Sequence, residues 1–137
     1  MSARTRIAVA VGLVLPAVLI SSIAAAGIWL GGSAPRSFAL DGLPDQVVHN
    51  YRFVESHPDL AAKIPCYCGC HSLGHANLLD CYIRPDGGYE QHASGCGICG
   101  MEADDIEQML AGGQDPDAIR AAIDAEYSSY GRPTNTP

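Results

Sequence analysis

The sequence predicts a mainly α-helical fold, with an N-terminal transmembrane helix followed by a small helical outer domain. Three features carry this prediction. Ile7 to Leu30 runs 24 residues without a charge. Two regions further on place apolar residues at helical spacing, the second of them forming an αα-hairpin. Between those regions lies an irregular segment dense in cysteine and histidine.

Residues 1–6 read as a cytoplasmic tail and residues 7–30 as a transmembrane anchor or signal segment. At about 1.5 Å per residue, a helix of that length spans a hydrocarbon core of roughly 30 Å. Ala24-Ala25-Ala26 offers the small residues of a cleavage site, yet the apolar region of a signal peptide usually runs only about 7–15 residues. A retained anchor is therefore the expectation. Arg4 and Arg6 on the short tail favour an N-terminus in the cytoplasm. The expected protein is single-pass in the cell membrane, with its C-terminal domain extracytoplasmic. No cysteine precedes Cys66, so lipid attachment to an N-terminal cysteine is excluded.

Gly, Ser and Pro make residues 31–39 a linker, and residues 40–131 are assigned to the outer domain. Pro44 opens a helix whose face is Val47, Val48, Tyr51 and Val54, and His57-Pro58 stops it. A short turn from Pro58 to Lys63 leads into the cysteines. Ala76 to Ile83 reads as helix and then an extended piece, and Arg84 to Gly95 as a loop around Asp86-Gly87-Gly88. Met101, Ile106, Met109 and Leu110 predict a helix beginning near Met101 and capped at Gly112-Gly113. Asp115 then caps a second helix with Pro116 at its first position and Ile119, Ala122, Ile123, Tyr127 and Tyr130 as its stripe. The tail, residues 132–137, is expected to fray.

From Ser37 onward, five basic residues stand against all fifteen acids, a net charge of −10. A nucleic-acid partner needs a basic face, so that class is excluded. A core this small is expected to need covalent or metal staples.

Cys66, Cys68, Cys70, Cys81, Cys96 and Cys99, with His71, His75 and His92, all fall within 34 residues. Residues two apart in extended chain are about 6.5–7 Å apart at Cα, beyond the roughly 5.5–6 Å of a relaxed disulfide, so a Cys-x-Cys bridge is strained. Thiolates at i, i+2 and i+4 can instead converge on one cation if Gly69 allows a turn. Cys96-Gly-Ile-Cys99 has the C-x-x-C spacing of half a metal site, and a redox pair or a structural disulfide remain open there. His71 and His75 are four apart, which would share a face of a helix. His49 and His57 read as ordinary surface and helix-end residues. Met101 and Met109 are possible Cu(I) thioethers, read here as core.

Pro65-Cys-Tyr-Cys-Gly-Cys70, with "GHANLLDCYI" and "EQHASGCGICG" after it, resembles the PCYCGC-motif proteins, a family of exported, membrane-anchored and largely uncharacterised bacterial proteins. Many members are lipid-anchored. This chain departs from them in lacking the lipid-bearing cysteine, which leaves the helix as its anchor. The closing hairpin is also faintly similar to the thiol reductases of cytochrome c maturation.

The function expected from these readings is a membrane-tethered module that binds a soft transition metal, Cu(I) or Zn2+, as one or two ions. The candidate metal ligands are the six cysteines with His71, His75 and His92. No catalytic residue stands out, and enzymatic activity is not expected. Two alternatives compete: a thiol-disulfide redox protein working through Cys96 and Cys99, and a disulfide-stapled interaction module.

Overall fold

The computed structural model describes residues 38–137. The predicted anchor at 7–30 and the linker as far as Ser37 lie outside the described residues. Among the described residues no helix is long and apolar enough to cross a membrane.

Helix α1 is Asp45–Ser56. Pro44 stands at its N-cap and the backbone leaves helical geometry at His57, as the Pro44 and His57-Pro58 signals require. Its inner face buries Tyr51 and Val54 completely and Phe53 nearly so. The short α2, Pro58–Ala61, follows with proline in its first turn. A 3₁₀ turn at Cys70–Leu73 comes next. Helix α3 is Leu78–Tyr82, capped by the Asn77 side chain, which accepts from the Asp80 N–H.

Ile83 leaves α3 in extended backbone and forms an isolated antiparallel bridge with Tyr89, as does Phe38. The segment expected as a loop up to Gly95 ends instead in a helical turn, α4, at His92–Gly95. Helix α5, Gly97–Ala111, starts four residues earlier than the apolar pattern indicates. Gly97 and Gly100 are poor helix formers, and tertiary bonds override that weakness. The buried Tyr82 hydroxyl donates to the Cys99 carbonyl at 2.8 Å and Asn50 Nδ2 donates to the Gly100 carbonyl at 3.2 Å. Met101, expected in the core, is 43% exposed because it lies off the helix face that buries Cys99, Ala103 and Ile106.

Gly113 ends α5 with a left-handed φ of 81°. The N–H groups of Gly113 and Gln114 reach back to the carbonyls of Leu110 and Met109, satisfying two carbonyls at the helix end. Asp115 caps α6, Pro116–Tyr127, accepting from the N–H groups of Asp117 and Ala118. Ile119, Ile123 and Tyr127 bury its inner stripe, while Tyr130, also expected there, is 53% exposed beyond the helix end. Helices α5 and α6 form the anticipated hairpin, tied where the Tyr127 hydroxyl donates to Asp105 at 2.6 Å.

Residues 132–137, expected to fray, are fastened to the cysteine segment. Thr134 Oγ1 accepts from the Cys66 N–H at 2.9 Å, and the Thr134 N–H donates to the Cys66 carbonyl at 3.0 Å. Thr136 Oγ1 donates to the Ala76 carbonyl at 2.7 Å. A Cβ on Gly131 would lie 2.7 Å from the Tyr67 carbonyl oxygen, so the strap passes this close only with glycine there. Thr134→Val keeps the shape and removes the acceptor of a buried N–H. It is expected to lower stability to urea by about 1–3 kcal/mol, while Asn135→Ala on the exposed side of the strap leaves it unchanged.

Candidate metal centre

The Pro65-to-Cys70 segment reaches the middle of the domain because it is buried apart from its turn. Ile64 and Cys66 are fully buried, and the Leu78 N–H donates to the Ile64 carbonyl at 2.9 Å. Gly69 then takes a φ of 85°, a left-handed conformation that reverses the chain and brings Cys70 back inside. Cys81 arrives from α3 with no exposure, and Cys99 from the first turn of α5, also with none. Cys96 is the N-cap residue of α5 and is only partly buried.

All six cysteines are free thiols in the structure. Cys66 Sγ stands 3.3 Å from Cys68 Sγ and 3.6 Å from Cys99 Sγ. Cys68 and Cys99 are 3.7 Å apart, and Cys70 and Cys81 3.3 Å. His92 Nε2 lies 3.3 Å from Cys68 Sγ. Disulfide sulfurs sit about 2.05 Å apart. Two sulfurs on a tetrahedral ion with bonds of about 2.3 Å are separated by about 3.8 Å, a few tenths more than the spacings seen here. Three groups of four donors have their ligand atoms within 4.8 Å of one another: Cys66, Cys68, Cys81 and Cys99; Cys68, Cys70, Cys81 and His92; Cys68, His92, Cys96 and Cys99. The Cys/His geometry is thus compatible with a bound metal ion.

The family model described as a protein of unknown function with PCYCGC motif matches residues 33–137. The chain belongs to the PCYCGC-motif family. Comparison with curated proteins and with solved structures finds no match.

Not every candidate ligand of this PCYCGC domain reaches the centre. His71 is exposed on the 3₁₀ turn, and Gly74, with a φ of 88°, ends that turn before an i, i+4 helical face can form. His75 is turned inward instead. Its ring meets that of His92 edge-on at 5.4 Å, and its Nδ1 is buried without a hydrogen-bond partner. It stands behind His92 rather than among the donor groups. His49 pairs with Glu107 on the surface at 2.7 Å and belongs to none of the donor groups.

The thiols do not ionise independently. Cys68 accepts S–H bonds from Cys66 and Cys99, and the bond from Cys66 above all holds its thiol far below the ordinary range. Cys66, by donating to Cys68, is pushed up. Cys70 and Cys81 are raised first by their interactions with Cys66, and Cys96 by its interaction with Cys68. One thiolate shared among donors is the arrangement such a cluster favours alone, and a cation is what allows the rest to lose their protons.

Glu102 is the residue that the sequence reading passes over. It follows Cys99 by one helical turn and shares the buried face of α5 with Ala103 and Ile106. A charged residue on that stripe was the available signal. Its side chain has no exposure, Oε1 accepts from the Tyr67 N–H at 3.0 Å, and Oε2 is buried without a partner. It therefore holds the backbone between the first two cysteines of the motif.

Burial pushes the Glu102 carboxyl up to about 7. Its folded value lies above its unfolded value of 4.5, so the folded state binds the proton more tightly. Its contribution is complete below about pH 4.5 and is lost as pH rises to about 7, a change of order 2–3 kcal/mol. Glu102→Gln keeps an acceptor for Tyr67 and removes this titration. In metal-free protein, the stability difference between Glu102→Gln and wild type is expected to shift by that amount in favour of Gln between pH 4.5 and pH 8. A difference independent of pH in urea melts would contradict the assignment.

Proposed function

We propose that the PCYCGC domain is a soft-metal-binding module, taking Zn2+ or Cu(I) through thiolates and His92 and tethered to the outer face of a membrane by residues 7–30. The observation that carries the metal reading is the convergence of six free thiols and one imidazole into overlapping groups of four donors. Thiolate-rich sites select these two ions among common biological metals. Four donors within a few tenths of an ångström of tetrahedral spacing suit Zn2+. Of the thioethers that pointed toward copper, Met101 is exposed and Met109 is packed against the core.

The redox reading of Cys96 and Cys99 draws less support. A nucleophilic thiol in such a pair works through a lowered pKa, whereas Cys96 is raised by its neighbour Cys68. A competition titration of the metal-free full-length protein in detergent tests the metal reading. The protein is expected to draw Zn2+ or Cu(I) from a chromogenic chelator of submicromolar affinity. If both metals stay with the chelator, the reading fails.

The membrane part rests on the uncharged run from Ile7 to Leu30. Alkaline extraction of membranes from expressing cells is expected to leave the full-length protein in the pellet. Recovery in the supernatant would refute the anchor.

A further inference from the structure

The three donor groups overlap in a way that one ion does not use. Cys68 belongs to all of them, and each pair of groups shares one further residue, Cys81, Cys99 or His92. A thiolate sulfur has lone pairs enough to bridge two ions, whereas a neutral imidazole offers a single acceptor nitrogen. The pair of groups joined through Cys68 and His92 is therefore not filled by two ions together.

Of the two remaining pairs, one joins through Cys68 and Cys81 and leaves out Cys96. The other joins through Cys68 and Cys99 and leaves out Cys70. Cys70 is 1% exposed, with its sulfur 3.3 Å from Cys81. Cys96 makes none of the close sulfur contacts described above, and it borders an open cleft of about 330 Å³ with Asn50, Met101 and Asp104. The cysteine to spare is Cys96.

On the basis of the metal reading above, we propose that the domain holds two ions of the Zn2+ class as an edge-sharing pair, bridged by the Cys68 and Cys81 thiolates. Cys66 and Cys99 complete one ion, and Cys70 and His92 complete the other. Cys96 remains a free thiol on the cleft wall. Charge favours this arrangement over one ion in the all-cysteine group, and leaves it level with one ion in a group that contains His92. A single Zn2+ with four thiolates leaves a net charge of −2 in a buried site, while two Zn2+ with five thiolates leave −1. The hydrogen-bond partners of these sulfurs among the described residues are other sulfurs, the His92 ring and the Asn77 carbonyl, and Glu102 adds a further acid beside them. No cationic side chain there offsets the thiolates, so the second ion does. On loading, the five ligand thiols give up their protons to solvent.

The test uses full-length protein in detergent, loaded with Zn2+ and cleared of excess. Native mass spectrometry gives the number of ions, zinc X-ray absorption gives the scattering shells, and iodoacetamide followed by peptide mapping gives the free thiol. The expected result is two zinc ions per chain, a sulfur-rich shell with a zinc–zinc path, and alkylation at Cys96. The Cys96→Ser variant is expected to keep both ions. One zinc per chain without a zinc–zinc path would overturn the pair while leaving the metal module standing. Two ions with Cys70 alkylated would overturn the bridging assignment. Protein that takes up no zinc but binds Cu(I) would overturn the pair alone, and protein that binds neither would overturn the metal reading itself.

Discussion

Stripping metal from the loaded full-length protein with a strong chelator is expected to lower the melting temperature of the PCYCGC domain by about 15–30 °C. A ligand that binds only the folded state adds about 4 kcal/mol when its concentration is about a thousand times its dissociation constant. For a domain of about 100 residues, each kcal/mol shifts the midpoint by about 4–8 °C. The domain has little else to take the place of the metal. Four of its fully buried side chains are the thiols of Cys66, Cys70, Cys81 and Cys99, and around them the aliphatic core is thin. Without a cation those sulfurs are weak hydrogen-bonders packed against one another. Circular dichroism melts of loaded and stripped protein measure the effect. Coincident melts would mean that any bound ion is cargo on a fold complete without it.

Replacing Cys68 by serine is expected to have the second large effect, reducing metal affinity by at least about a hundredfold. Ligand sites depend so steeply on their donors that even loss of an outer-shell partner typically costs about 10–100-fold. Cys68 is the one residue present in all three donor groups. It is also the thiol whose ionisation its neighbours favour. A serine hydroxyl offers neither a soft donor nor an accessible anion at neutral pH. His71→Ala is the matched control, because His71 is exposed on the 3₁₀ turn and is expected to leave affinity unchanged. Equal loss of metal in both variants would point to unfolding rather than to a ligand, and a far-UV spectrum separates the two.

Where the chain's own local signals suffice, the sequence reads correctly. Pro44, the stripe from Val47 to Val54 and His57-Pro58 delimit α1 within a residue. Gly112-Gly113 and Asp115-Pro116 mark the hairpin turn, because a left-handed glycine and a capping carboxylate act over a few residues. Errors fall where distant residues decide. The start of α5 is held by Tyr82 and Asn50, and neither is visible to a local reading of Gly97 and Gly100. The strap over Cys66 depends on Thr134, sixty-eight positions away, in a Pro-rich tail that has no periodicity.

The site divides along the same line. The density of cysteine and the turn at Gly69 are sequence features, and they mark the motif as a candidate cation site. Which thiols fall into one donor group is a matter of how α3 and α5 pack, so Cys81 and Cys99 find their partners only in three dimensions. His71 and His75 differ by one glycine at position 74, whose conformation sends one outward and the other behind His92. Glu102 is signalled only by its place on the buried stripe of α5, beside Ala103 and Ile106.

The most direct test of the metal centre is the mass of the intact protein under native and denaturing conditions, with elemental analysis of the same sample. Zinc or copper is expected in the native species and, after denaturation, a mass that shows every cysteine as a free thiol. A metal-free protein whose denatured mass is short by a pair of hydrogens for each bridge would contradict the metal reading and make the PCYCGC segment a disulfide framework.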